Sequence, residues 1–138
     1  MTKRYIGTKI VTAFKQEKDG KPGYGVIYED GYQSWSPASA FEPAYRAIEG
    51  DDQALTFGDA IHLLKMGKRL ARAGWNGKGL SIELQRPDAH SKMTLPFIFM
   101  NYPATPASDT APASHINARV PWLASQTDML ADDWKVVG

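Results

Sequence analysis

Hydrophobic and polar positions alternate at the start of this chain and take up a helical period further on. In residues 5–14, Ile6, Thr8, Ile10 and Thr12 fall opposite Gly7, Lys9, Val11 and Ala13, the period-2 pattern of a β-strand. The polar stretch that follows carries Asp19-Gly20 and Pro22-Gly23, turn dipeptides that predict a hairpin into Tyr24-Gly25-Val26-Ile27-Tyr28. Asp30-Gly31 then turns the chain into Tyr32-Gln33-Ser34-Trp35, giving a small meander. Ser36 and Pro37 suit an N-cap and a first helical position, and Phe41, Ala44, Tyr45 and Ile48 recur at helical spacing, but Pro43 keeps that helix short. Tyr24, Tyr28, Tyr32, Trp35, Phe41 and Tyr45 are what a small sheet needs to pack on such a helix.

Glu49-Gly50-Asp51-Asp52-Gln53 is an acidic, polar break, and it divides an N-terminal module, residues 1–50, from a second domain, residues 51–138. Thr56-Phe57-Gly58-Asp59 forms a capping box with Asp at the usual Glu position, and Phe57, Ala60, Ile61 and Leu64 make an apolar helix face. Gly67 can close that helix, and Lys65 and Lys68 suit the negative end of its dipole. Residues 69–73 and 80–84 read as two strands around Asn76-Gly77, with Leu80, Ile82 and Leu84 on one face and Ser81 and Glu83 on the other. Residues 93–100 are apolar on both parities, which predicts a strand covered on both sides or lying at a subunit contact. Residues 102–114 are rich in Pro, Ala, Ser and Thr and predict a surface loop. In residues 115–120, Ile116, Ala118 and Val120 are expected inward, leaving Arg119 for solvent or ligand. Ser125-Gln126-Thr127-Asp128 repeats the capping pattern before a short helix, and Trp134-Lys135-Val136-Val137 can close the sheet. The fold class is therefore α+β: a twisted antiparallel sheet packed by one main helix and a short C-terminal helix, with an N-terminal β-meander plus short helix.

A chain of 138 residues can bury a core without staples, and with no cysteine it has neither disulfides nor a thiolate nucleophile. His62, His90 and His115 lie far apart with no paired metal spacing, so no metal or other cofactor is expected. The formal net charge of +1 gives no global field for a DNA or RNA polymer. No stretch is apolar for long enough to span a bilayer, which points to a soluble, cytoplasmic protein.

Chemistry concentrates at Ala71-Arg72-Ala73-Gly74-Trp75-Asn76-Gly77-Lys78-Gly79 and at the downstream segment from Val120 to Trp134, and the two are expected to face each other. Trp75 at a hairpin tip must either pack or bind something. GxSxG, Walker A and GxGxxG motifs are absent, and Asp128, Asp132 and Asp133 on a short helix read as solvated carboxylates. What the region offers is indoles, amides, hydroxyls and turn N–H groups with an arginine near by, a set that suits a nucleotide among other ligands.

From Thr56 onward the chain resembles the type-two Thoeris anti-defence family of small phage proteins. The resemblance rests on residues 71–79 and on a closing pattern formed here by Pro121-Trp122, Ser125, Asp128, Asp133 and Trp134. It implies a non-catalytic sponge that sequesters glycosidically cyclised ADP-ribose signals made by bacterial TIR-domain proteins, in the cytoplasm of the infected host. Some relatives hold cyclic oligonucleotides. It also implies a homotetramer with pockets between subunits, with Trp75 and Trp122 touching the ligand and Asn76, Ser125 and Asp128 following. The residue-level reading adds Gly77, through its turn, and Arg119. Residues 5–48 resemble a separate small phage module, through the Asp-Gly-Tyr-x-Ser-Trp-Ser-Pro run at residues 30–37. Two other readings compete: an enzyme that degrades such signals, and a phage structural or protein-interaction module.

Overall fold

Turn chemistry builds the first part of the chain. In the computed structural model, which describes residues 1–76, 79–104, 107–110, 113 and 117–138, Asp19 and Gly20 both adopt positive φ, 52° and 76°, between the first two strands. Those strands are β1, Thr12–Lys15, and β2, Gly23–Ile27; with β3, Gln33–Pro37, they form an antiparallel sheet in the order β1-β2-β3. The strand expected from residue 5 begins only at Thr12, because Thr12 already pairs with Ile27 at the end of the five-residue β2. Tyr5 and Ile6 consequently stand in solvent, 84% and 99% exposed. The helix after Pro37 is a single turn, α1, Ala38–Phe41, and its N-cap is Pro37, with no side-chain cap, in place of the expected Ser36. The Pro43 ring, which has no N–H to donate, lies two residues beyond that turn. Tyr24, Phe41 and Tyr45 stack at centroid separations of 4.2 and 4.7 Å, and the Trp35 Nε1–H donates to the Gln16 carbonyl at 2.8 Å.

The chain divides into two units, Met1–Arg46 and Ala47–Gly138. In the second, α2, Phe57–Lys65, starts at the expected capping box: Thr56 Oγ1 accepts from the Asp59 N–H at 3.1 Å, and Asp59 Oδ2 accepts from the Thr56 N–H at 3.0 Å. Gly67 closes the helix with φ 90°, a conformation that glycine adopts without the strain a Cβ brings.

Five strands follow: β4, Leu70–Arg72; β5, Ser81–Gln85; β6, Phe97–Tyr102; β7, Ala118–Pro121; and β8, Trp134–Val136, with α3, Gln126–Met129, before the last. They form one antiparallel sheet in the order β7-β6-β5-β4-β8, so the last strand returns beside β4. Cross-strand partners share a face, and the pairings Leu70↔Ile82, Ile82↔Met100 and Arg72↔Trp134 define the side against which α2 packs. Its core is Leu55, Ala60, Leu63, Leu64, Leu70, Ile82, Met100 and Trp134. The opposite face carries Ala71, Lys135, Ser81, Asn101 and Arg119.

Two further strand expectations need correction. The apolar run expected to form a strand from Met93 enters β6 only at Phe97, paired with Gln85; Pro96 has no ladder donor, and Leu95 is 75% exposed. Ala118 and Val120, expected inward, are exposed, because β7 is the sheet edge farthest from β8 and α2 packs over β4, β5 and β8. His115 and Ile116 lie outside the described residues.

Candidate functional site

Arg72 is the third residue of β4 and, by register, faces the same side as Leu70 and Trp134. A guanidinium on a core-facing parity needs counter-charge, and α3 and the turn before β8 supply it. Arg72 Nε donates to Asp133 Oδ1 at 2.8 Å and Nη1 donates to Asp128 Oδ1 at 2.9 Å. Asp133 also accepts from the Gly74 N–H at 2.9 Å, and a Cβ at Gly74 would lie 2.9 Å from that same oxygen, so a larger residue there would displace the carboxylate. Asp128 in turn accepts from the Trp75 Nε1–H at 3.3 Å.

This clamp ties the Gly74-Trp75-Asn76 turn to α3, bringing together the two segments expected to face each other. Ser125 caps α3 reciprocally: its Oγ accepts from the Asp128 N–H, and its N–H donates to Asp128 Oδ2, both at 3.1 Å. Asp128 is buried, and its backbone carbonyl accepts from Trp134 Nε1 at 2.9 Å. Its carboxylate therefore serves an arginine, an indole and a cap at once.

Around the clamp the rings pack edge to face. Trp75 lies 5.3 Å from Trp134 and 6.2 Å from Trp122, with interplanar angles of 80° and 67°. Phe57 of α2 touches Trp134 and Trp122 at 5.5 and 6.3 Å. Trp134 is fully buried, whereas Trp75 and Trp122 are half-buried and keep part of each indole in solvent. Such contacts contribute roughly 0.5–1.5 kcal/mol each beyond burial.

Trp75 and Asn76 also line a groove of about 440 Å³ on the other side of the turn, together with Arg69, Ala71, Ser81 and Lys135. Asn76 is exposed there, while Gly77, the remaining residue of the expected turn, lies outside the described residues. Arg119 stands apart on β7, with two strands between it and β4, where its Nε donates to Asn101 Oδ1 at 3.2 Å. The Asn101 amide continues that chain to Ser81 Oγ at 3.1 Å and Glu83 Oε2 at 2.8 Å.

A family model described as the Thoeris anti-defense 2-like domain matches residues 55–137, which contain the clamp, the tryptophan cluster and the groove. The chain belongs to this family. A curated relative, Thoeris anti-defense 2 of Bacillus phage SP01, is 35% identical over 88 residues, covering 60% of this chain and 94% of that protein. Membership gives the chain a phage role against Thoeris defence. The matched region starts at the buried Leu55, so the Met1–Arg46 unit lies outside it.

Within this Thoeris anti-defense 2-like domain, reading Asp128 and Asp133 as solvated carboxylates needs correction, because Arg72 binds both. Burial pushes the Asp128 carboxyl up, but hydrogen bonds from Arg72, Ser125 and Trp75 outweigh it and hold it below the usual carboxylate range. The Arg72 hydrogen bond, helped by the Gly74 N–H and by the arginine charge, lowers Asp133 against its own burial. Arg72 is raised, chiefly by its hydrogen bond to Asp133. Carboxyls lowered in the folded state add stability that is present above their unfolded value of about 4 and is lost as pH falls through the folded value. The urea midpoint should therefore fall below about pH 4, and Asp133→Asn should show a shallower acid loss than the parent; matching acid slopes would deny the clamp its electrostatic role.

Proposed function

We propose that the Ala47–Gly138 unit is a non-catalytic sponge for cyclic ADP-ribose-type signalling nucleotides, with glycocyclic ADP-ribose as the signal it withholds from the Thoeris effector. One observation carries the reading: the clamp holds the turn so that a half-buried Trp75 and an exposed Asn76 both line a groove. The indole suits a nucleobase or ribose face, and Asn76 with the adjoining turn, including Gly77, suits the polar edges. Trp122 buttresses Trp75 and keeps an exposed part of its own for the ligand. Ser125 and Asp128 act through Trp75, since their hydrogen-bonding groups are engaged within the chain. Arg119 meets the ligand only if the latter reaches across the sheet.

A sponge is favoured over a hydrolase because the two carboxylates beside the turn are hydrogen-bonded to an arginine and held ionised, which leaves a poor general acid and an already committed base. The exposed Leu95, Leu123 and Leu130 are apolar surface that a homotetramer with its pockets between subunits would cover. The reading places the protein in the cytoplasm of the infected host; among the described residues no helix is long and apolar enough to cross a membrane.

Stoichiometry tests the reading. Protein mixed with a tenfold excess of glycocyclic ADP-ribose should remove an amount of free signal proportional to the protein added, with no further loss over hours. Continued clearance at that ratio would mean turnover and would favour the degrading enzyme; no removal at any ratio would favour the interaction module.

A further inference from the structure

The groove beside Trp75 has a cationic floor that the tryptophan-based reading does not use. Lys135 on β8 pairs directly with Ala71 on β4, and Arg69 lies two residues before Ala71, so the two cations are diagonal neighbours on one face of adjacent strands. Diagonal neighbours across antiparallel strands stand roughly 7–8 Å apart, within reach of one ligand group for two long side chains. Between them Ala71 contributes only a methyl group, which leaves the space above the strand open, and the buried Ser81 walls the groove on the β5 side. No ion pair engages Arg69 or Lys135 among the described residues, whereas the neighbouring Arg72 is saturated by two aspartates.

Two cations without carboxylate partners among the described residues, held on one face of a concave site that Trp75 and Asn76 also line, make an electrostatic seat for a ligand with two adjacent negative charges. We propose that Arg69 and Lys135 bind the pyrophosphate bridge of the sequestered nucleotide while Trp75 and Asn76 receive its nucleoside end; the assignment rests on the nucleotide reading above and extends it. The fork of Arg69 can take two oxygens of one phosphate, and the ammonium of Lys135 meets the other as a point charge. Charge selection then follows from the groove, and stacking completes the recognition.

The test compares binding of glycocyclic ADP-ribose, inorganic pyrophosphate and inorganic phosphate to the full chain, to Arg69→Gln, to Lys135→Gln and to Lys135→Arg, by calorimetry at two salt concentrations. Both cations are exposed, so the variants should keep the parent's melting temperature. Each Gln variant should bind the nucleotide about tenfold more weakly and with a shallower salt dependence, and Lys135→Arg should stay close to the parent. Pyrophosphate should bind the parent at least about tenfold more tightly than phosphate. A nucleotide bound equally well by the parent and both Gln variants overturns the seat and leaves the sponge reading intact. Pyrophosphate held through Arg69 and Lys135 by a parent that binds no nucleotide supports the seat and overturns the sponge reading. Binding of neither overturns both.

Discussion

Trp134→Ala should remove a large part of the stability of the Ala47–Gly138 unit, with an expected loss of about 3–5 kcal/mol for truncating a fully buried tryptophan. Against a total of about 5–15 kcal/mol for an ordinary domain, that is a large fraction. The size follows from what the ring touches: Trp75 and Trp122 in near-perpendicular contacts, the tilted ring of Phe57, and the Asp128 carbonyl through Nε1 at 2.9 Å. Truncation opens a cavity at the centre of the cluster, removes the indole donor from the Asp128 carbonyl, which keeps the Ala131 N–H at 3.4 Å, and removes the wall against which Trp75 is set. Trp134→Phe should cost less, because it fills most of the volume and loses chiefly the N–H donor. Urea denaturation of both variants checks this, and a loss under about 1 kcal/mol for Trp134→Ala would mean that the core closes without its largest member.

Trp75→Ala carries the other large effect, on binding. Stacking of a base on an aromatic ring contributes ~1–3 kcal/mol, so glycocyclic ADP-ribose should bind the variant roughly ten- to more than a hundredfold more weakly. Trp122→Ala should weaken binding in the same range, through lost contact and through the lost support of Trp75. Half-burial separates these positions from Trp134, since their truncation should cost affinity out of proportion to melting temperature. Trp35→Ala, in the Met1–Arg46 unit, is the control and should leave affinity unchanged. Light scattering on the same preparations shows whether each variant keeps the parent's assembly. Variants of Trp75 and Trp122 that remain folded in that assembly and hold the nucleotide as well as the parent would remove both residues from the site.

Much of this arrangement was legible because it is written in local chemistry. The capping boxes at Thr56 and Ser125 are four-residue signals with one physical meaning, and both helices start where those signals stand. The alternation of Leu80, Ile82 and Leu84 likewise identified the buried face of β5, and the Asp-Gly and Pro-Gly turns located the first hairpin. What escaped was set by neighbours distant in sequence. Residues 5–11 alternate as well as any strand, yet β2 is too short to pair with them. Ala118 and Val120 alternate correctly but lie on an edge strand that no helix covers. The clamp joins Arg72 to carboxylates 56 and 61 residues away, and no local pattern announces such a pair. Its one available signal was the parity of Arg72, which shares the core-facing side with Leu70 and so demands a partner. Arg69 and Lys135 were hidden in the same way, because only the return of β8 beside β4 makes them neighbours.

Arg72 links the readable motifs to the site. It binds Asp128, the capping-box partner of Ser125 in α3, and the aspartate that fixes Gly74, so the helix, the turn and the indole between them are held by one side chain. The Ala-Arg-Ala-Gly-Trp run and the Ser-x-x-Asp cap are thus two halves of a single device, with the ligand-facing role proposed for the tryptophan and the holding role carried by the charges.

Sequestration without cleavage is most directly tested by what the protein lets go. The full chain, incubated with glycocyclic ADP-ribose, passed through a size-exclusion filter and heated to unfold it, should release a nucleotide of unchanged mass in an amount that accounts for what was retained. Linear ADP-ribose or smaller fragments in the heated fraction, formed only in the presence of the protein, would contradict the account and make the chain an enzyme.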